Sequence, residues 1–220
     1  LGSRISVFAI SYGGSLALIA ASDPRAHAHI SRIGTFGAYF DLVGVIQAVT
    51  AGISIVGGRR IPWTAHPLAR EFLYARTTEE LVPAHERALF LDVLAGQAAP
   101  DGLSQESRSY SQLLLNTDPE QAFPLAEQLR DPYRQFLTTF SPSRVASQIR
   151  VPVLALHSID DPVVPYGELI RLGEAMPGVE TIAVGIFQHV NVHRRSAKDW
   201  LRALPDLNRL WNFTNWVLAG

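Results

Sequence analysis

The sequence predicts an α/β fold: a parallel sheet covered by helices on both faces, with a mostly helical insertion. Three observations carry this. A β-like run near the start, Ile5 to Ile10, leads through small residues into a helix. A second strongly apolar run, Val151 to His157, again leads through an acidic turn into a helix. Between them lie roughly a hundred residues with helical periodicity in pieces. Strands that alternate with helices need crossover connections, which favours parallel pairing and burial of both sheet faces.

Ile5-Ser6-Val7-Phe8-Ala9-Ile10 is rich in β-branched and aromatic residues and reads as a buried strand. Gly13, Gly14 and Ser15 follow, and Leu16 to Ala21 reads as a helix closed by Asp23-Pro24. Ser31 to Thr35 is the next expected strand, leading into Gly37-Ala38-Tyr39-Phe40-Asp41. From Leu42 to Ser147 the character changes. Helical pieces run over Leu68 to Tyr74, Pro83 to Leu94 and Gln121 to Phe140, with breaks at Gly57-Gly58 and Pro100-Asp101-Gly102. After Val151 to His157, a helix is expected over Tyr166 to Met176 and a short strand over Thr181 to Gly185. An amphipathic helical stretch, Ser196 to Leu218, with a break at Pro205, ends the pattern. The expected division is a core of residues 1–41 and 148–220 with an insertion of residues 42–147.

Composition excludes several classes of function. The chain is 47% hydrophobic and 18% charged over 220 residues, enough to bury a sizeable core in one domain. With a formal net charge of −1 and no basic stripe, nucleic acid is not an expected partner. No cysteine is present, which removes disulfides, thiolate catalysis and cysteine-ligated metals. No cofactor is called for, and the compartment is not fixed by the composition. His27 and His29 form a spaced pair without a nearby third ligand type, so no metal site is expected. The longest apolar stretch, Leu42 to Val56, is interrupted by Gln47 and Thr50 and falls short of the roughly 18 apolar residues of a membrane span.

The chemistry centres on Ala9-Ile10-Ser11-Tyr12-Gly13. A serine hydroxyl needs a base within reach and an exposed position to act as a nucleophile. A sharp strand-to-helix turn supplies the exposure and demands small residues two before and two after the serine, here Ala9 and Gly13. The helix that follows aims its first N–H groups at a reacting oxygen, and the Tyr12 N–H is the candidate oxyanion donor. Downstream, the strand ending at His157 is followed by Ser158-Ile159-Asp160-Asp161-Pro162-Val163-Val164-Pro165. The expected strand Thr181 to Gly185 is followed by Ile186-Phe187-Gln188-His189-Val190.

These motifs, in this order, resemble the α/β-hydrolase superfamily of serine esterases and lipases. The likeness covers Ile5 to Asp41 and Ser147 to Gly220. Two departures are Ala9 and Ser158, each standing where that family usually has glycine. The resemblance implies a catalytic triad of Ser11 as nucleophile, Asp161 as acid and His189 as base. Asp160 and His193 are the respective competitors, and His157 is expected to be structural. It also implies that residues 42–147 form a cap over the serine. Because the family's nucleophile follows the fifth of eight strands, the resemblance further implies that this chain is the C-terminal half of the sheet. The first four strands and the loop giving a second oxyanion donor would then lie upstream, in a half of the fold that the chain needs. The implied activity is hydrolysis of carboxylic esters, favoured as apolar acyl esters by Ile46, Val49, Ile53, Ile55 and Val56. A serine peptidase is the first alternative, because Ser-Tyr-Gly-Gly is similar to the elbow of the prolyl-oligopeptidase group. An acyltransferase or thioesterase would use the same triad, and a non-catalytic binding protein on the same fold is a further alternative. Serine at position 11 argues against the epoxide hydrolases and haloalkane dehalogenases, which carry aspartate there.

Overall fold

A computed structural model describes residues 4–185 and 197–219. The chain runs β1 (Ile5–Ile10), α1 (Tyr12–Ala20), α2 (Pro24–His27), β2 (Ile30–Phe36), α3 (Leu42–Ala51), β3 (Ile53–Val56) and β4 (Arg59–Pro62). It continues α4 (Pro67–Leu81), α5 (Arg87–Leu94), α6 (Gln105–Leu115), α7 (Ala122–Gln128), α8 (Tyr133–Thr139), β5 (Val153–Ser158), α9 (Gly167–Ala175), β6 (Glu180–Val184) and α10 (Ala197–Leu218). The chain divides into two compact units, Leu1–Asp41 with Phe140–Gly220, and Leu42–Thr139.

The first unit is built on a four-stranded parallel sheet in the order β1-β2-β5-β6. β5 is buried along its whole length, and its alternation shows why it reads as a continuous apolar run. Val153 and Ala155 pack with Leu18 of α1 and Leu169 and Leu172 of α9. Leu154 and Leu156 pack on the other face with Phe213 and Val217 of α10. Successive side chains of a strand point to opposite faces, so one strand feeds two cores. β1 is an edge strand among the described residues, and its Ile5, Phe8 and Ile10 are each more than half exposed.

Two glycines set how closely the layers approach. A Cβ on Gly14 would stand 2.8 Å from the Ala38 Cβ and 3.3 Å from the Thr35 Cβ. A Cβ on Gly34 would collide with Val217 and Phe213 of α10. The crowding expected at Gly13 is not there: a Cβ at that position meets no described atom within 4 Å.

The second unit is helical apart from the antiparallel hairpin β3–β4. Phe90, Tyr110 and Tyr133 stack through its core, with ring centroids 6.0 and 4.5 Å apart. Buried Gln47 ties three segments, donating to the Pro119 carbonyl at 2.7 Å and accepting from the Ile55 N–H at 2.9 Å. No helix among the described residues is long and apolar enough to cross a membrane.

Four elements differ from expectation. α1 starts at Tyr12 rather than Leu16, because the chain turns into the helix within the single residue Ser11. The apolar run from Leu42 is not one helix: Gly57 and Gly58, with φ of 54° and 74°, turn the strands of a hairpin. Two adjacent positive φ values are the geometry of the tight turn that suits strand twist. The expected helix from Gln121 to Phe140 is two helices, α7 and α8, separated around Pro132, whose ring disfavours helix in the residue before it. α10, by contrast, runs through Pro205.

Gly14→Ala is therefore expected to lower stability by about 1–3 kcal/mol through overpacking, and Gly13→Ala to change it by less than about 1 kcal/mol. Urea unfolding of the two variants, followed by circular dichroism, checks the contrast.

Candidate active site

Parallel pairing places the C-terminal ends of β1, β2, β5 and β6 on one edge of the sheet, where ligands of open α/β sheets bind. Ser11 stands at the end of β1. It has φ 55° and ψ −134°, and among the described residues no other non-glycine has a positive φ. Such backbone costs on the order of 1–3 kcal/mol and persists only where neighbours over-determine it. Here the Ser11 N–H donates to the Phe36 carbonyl at 2.7 Å, and the Ser11 carbonyl accepts from the Gly14 N–H at 2.9 Å. The last strand bond and the first helix bond thus meet on one residue. Tyr12 opens α1, so its N–H belongs to the turn that carries the positive end of the helix dipole.

A strand that turns through a left-handed serine into a helix packed on the next parallel strand is the arrangement expected at Ser11. The chain has an α/β fold, a parallel sheet flanked by helices. Asp161 lies in the loop after β5 and is buried. Its Oδ1 accepts from the Val163 N–H at 2.8 Å and the Val164 N–H at 3.0 Å. Its Oδ2 stands 3.7 Å from the His157 Nε2, which itself donates to the Val164 carbonyl at 3.0 Å. His157 is buried, and its Nε2 is spent on shaping the acid loop; Asp160 is exposed. β2 lies between β1 and β5, so the ends carrying Ser11 and Asp161 are two strand spacings apart, about 10 Å. His189 and its competitor His193 lie outside the described residues. The chain leaves β6 on this same edge, where the Gly185 N–H donates to the Asp206 Oδ2 at 2.8 Å.

The loop after β2 lies on the same edge of the sheet. The Ser15 Oγ donates to the Tyr39 carbonyl at 2.7 Å, and the Tyr39 OH donates to the Phe140 carbonyl at 2.9 Å. The Tyr12 ring lies 6.0 Å from that of Tyr39 and 6.2 Å from that of Phe140. Burial pushes the Tyr39 phenol well above its usual range, so it stays a hydrogen-bond donor.

One buried group escaped the sequence reading. Glu168, in the first turn of α9, is fully buried. Its Oε2 accepts from the Phe40 and Asp41 N–H groups at 3.0 and 2.7 Å, and its Oε1 accepts from the Arg171 Nε at 3.1 Å. The available signal was its spacing: Glu168 and Leu172 are four apart, on the buried stripe of the helix. Burial pushes its carboxyl up to about 7, against the lowering pull of Arg171 and of the two N–H donors.

No protein-family model matches the sequence, and no curated protein does. Among solved structures, the chain is similar to a meta-cleavage product hydrolase from Pseudomonas fluorescens, at 19% identity and a TM-score of 0.43, over 97% of this chain and 65% of that one. It is similar to an α/β fold family hydrolase from Bacillus anthracis at 13% identity and a TM-score of 0.45, over 96% of this chain and 66% of that one. An acylaminoacyl peptidase from Pyrococcus horikoshii matches at 11% identity and a TM-score of 0.40, over 86% of this chain and 20% of that one. The chain thus spans about two thirds of the length of the first of these, 65%.

Two measurements follow from this geometry. Ser11→Gly is expected to be more stable than Ser11→Ala by about 1 kcal/mol, because only glycine takes the left-handed backbone without strain; urea unfolding of the pair checks it. Glu168 binds a proton more tightly in the folded chain than at its ordinary value of 4.5, so the folded state carries the extra proton between there and about 7. Stability should therefore fall as pH rises through that window, by up to about 3 kcal/mol, and level off above it. Glu168→Gln should lack that part of the slope, which unfolding midpoints at pH 5 and pH 8 measure for both proteins.

Proposed function

We propose that the chain carries the machinery of a serine hydrolase that cleaves carboxylic esters through an acyl-enzyme on Ser11. The observation that carries the reading is the backbone of Ser11, held at φ 55° between strand and helix. Strained backbone clusters at active sites, and here it falls on a residue of nucleophilic type. Asp161 supports it: a buried carboxylate with one oxygen fixed by two N–H groups is suited to orient an imidazole.

In this reading His189 takes the Ser11 proton as Oγ attacks the ester carbonyl. The oxyanion that forms is held by the Tyr12 N–H. The intermediate collapses, His189 returns the proton to the departing alcohol, and water then repeats the sequence on the acyl-enzyme. Asp161 holds the tautomer and balances the imidazolium. Residues 42–147 are, in this reading, the helical insertion of the hydrolase.

The preference for apolar acyl groups needs a different support from the one the sequence offered. Ile46, Val49 and Val56 are buried in their own unit and act as packing. Tyr12, close to half exposed beside Tyr39 and Phe140, offers apolar surface at the elbow itself. The exposed Ile5, Phe8 and Ile10 support a further part of the proposal, that more sheet covers the outer edge of β1 in the whole protein and brings the second oxyanion donor.

Labelling with a fluorophosphonate probe should modify Ser11, and Ser11→Ala should abolish it. p-Nitrophenyl ester hydrolysis by the whole protein should fall roughly a thousandfold or more in Ser11→Ala and His189→Ala, with Asp161→Asn close behind. Faster turnover of aminoacyl anilides than of esters would instead identify a peptidase. A folded protein that neither labels nor hydrolyses would be a binding protein.

A further inference from the structure

Glu168 has no part in the acid–base scheme above, yet it joins the two halves of the site. Its Oε2 holds the N–H groups of Phe40 and Asp41, the two residues directly after Tyr39. Tyr39 is held at its other side by three contacts of its own: Ser15 of α1 on its carbonyl, the Phe140 carbonyl on its OH, and the Tyr12 ring. The segment 37–41 is thus a bridge, with a buried carboxylate at one end and the elbow at the other. On the opposite side, the Glu168 N–H donates to the Pro165 carbonyl at 2.9 Å, the last residue of the loop that carries Asp161. The charged and titratable groups that face the carboxylate are Arg171 of its own helix and, from the segment after β2, Asp41 and Tyr39.

A carboxylate kept only for stability has no need of this placement. Burying an ion costs several kcal/mol, and an apolar side chain of similar volume commonly serves as well. What an apolar side chain lacks is two acceptor directions that fix a loop by its backbone. We propose that Glu168 is a positioning residue for the reaction at Ser11: it fixes the segment carrying Tyr39 and thereby the setting of Tyr12, whose N–H receives the oxyanion. The inference rests on the serine hydrolase reading and adds a residue to it.

The test uses the whole protein, with reactive Ser11 counted by fluorophosphonate titration so that turnover is expressed per competent site. Glu168→Ala removes the side-chain oxygen that accepts from both backbone N–H groups. Its kcat on a p-nitrophenyl ester should fall roughly tenfold to a hundredfold per titrated site, with KM moving by less than about threefold. Hydrogen exchange over residues 37–41 should rise in the same variant. Glu168→Gln keeps an oxygen for the two N–H groups and should retain kcat within roughly threefold of the parent. If the alanine variant does not fold, Glu168→Asp, one methylene too short to reach both donors, carries the same expectation. A merely structural carboxylate would lower the number of titrated sites and leave kcat per site unchanged; that result in a folded variant overturns the inference. A parent protein that neither labels at Ser11 nor hydrolyses esters overturns the hydrolase reading itself. An active parent with an unaffected Glu168→Ala overturns only the role of Glu168.

Discussion

Parallel pairing is the constraint from which the rest of this molecule follows. Four strands that all run the same way end on the same edge, and each must return to the opposite edge before the next begins. The returns α1 and α9 bury one face, and α10, after the last strand, covers the other. The polar loops are thereby gathered on one side: Ser11 after β1, Tyr39 to Asp41 after β2, Asp161 after β5. A site assembled this way draws residues from distant parts of the chain without any of them leaving its own element. It also sets the spacing, since neighbouring ends differ by one strand separation of about 4.8 Å.

The Ser11 backbone shows how such an edge tolerates strain. Its left-handed conformation costs on the order of 1–3 kcal/mol. Burying Leu18 of α1 alone contributes about 1.5–3 kcal/mol. Gly14 lets α1 lie against Thr35 and Ala38, and Ser15 fastens it to Tyr39. The strained residue is therefore held between a strand that cannot shift and a helix that packs only in this place.

Legibility followed sequence distance. β1 was readable to the residue because a strand's apolar run is a local signal. The turn after β5 rests on a pattern of equally short range, since Asp161 finds its partners two and three residues on. Glu168 was not, because its partners lie 127 and 128 residues back along the chain. The same holds for Gly14: Gly13 is the residue at the motif's spacing, but the crowding comes from Ala38 on another element. The β3–β4 hairpin is the exception, since Gly57-Gly58 between two short runs was a local signal and was read as a simple break.

Asp161 and Glu168 face the same physical problem, a carboxylate removed from water, and meet it differently. Asp161 takes two N–H donors from its own loop, two and three residues along the chain. Glu168 takes its donors from the loop after the neighbouring strand β2, and its nearest cation, Arg171, from one helical turn along α9. Its hydrogen bonds form only when the sheet is assembled. A group with local partners keeps its setting without depending on distant packing. A group with distant partners couples its own desolvation to the closeness of two loops. Separating those loops leaves a buried carboxylate short of donors, at a cost of about 1–3 kcal/mol for each orphaned bond. That cost is what makes Glu168 a fixed point between the acid loop and the elbow, where a solvated residue in its place would let the two drift.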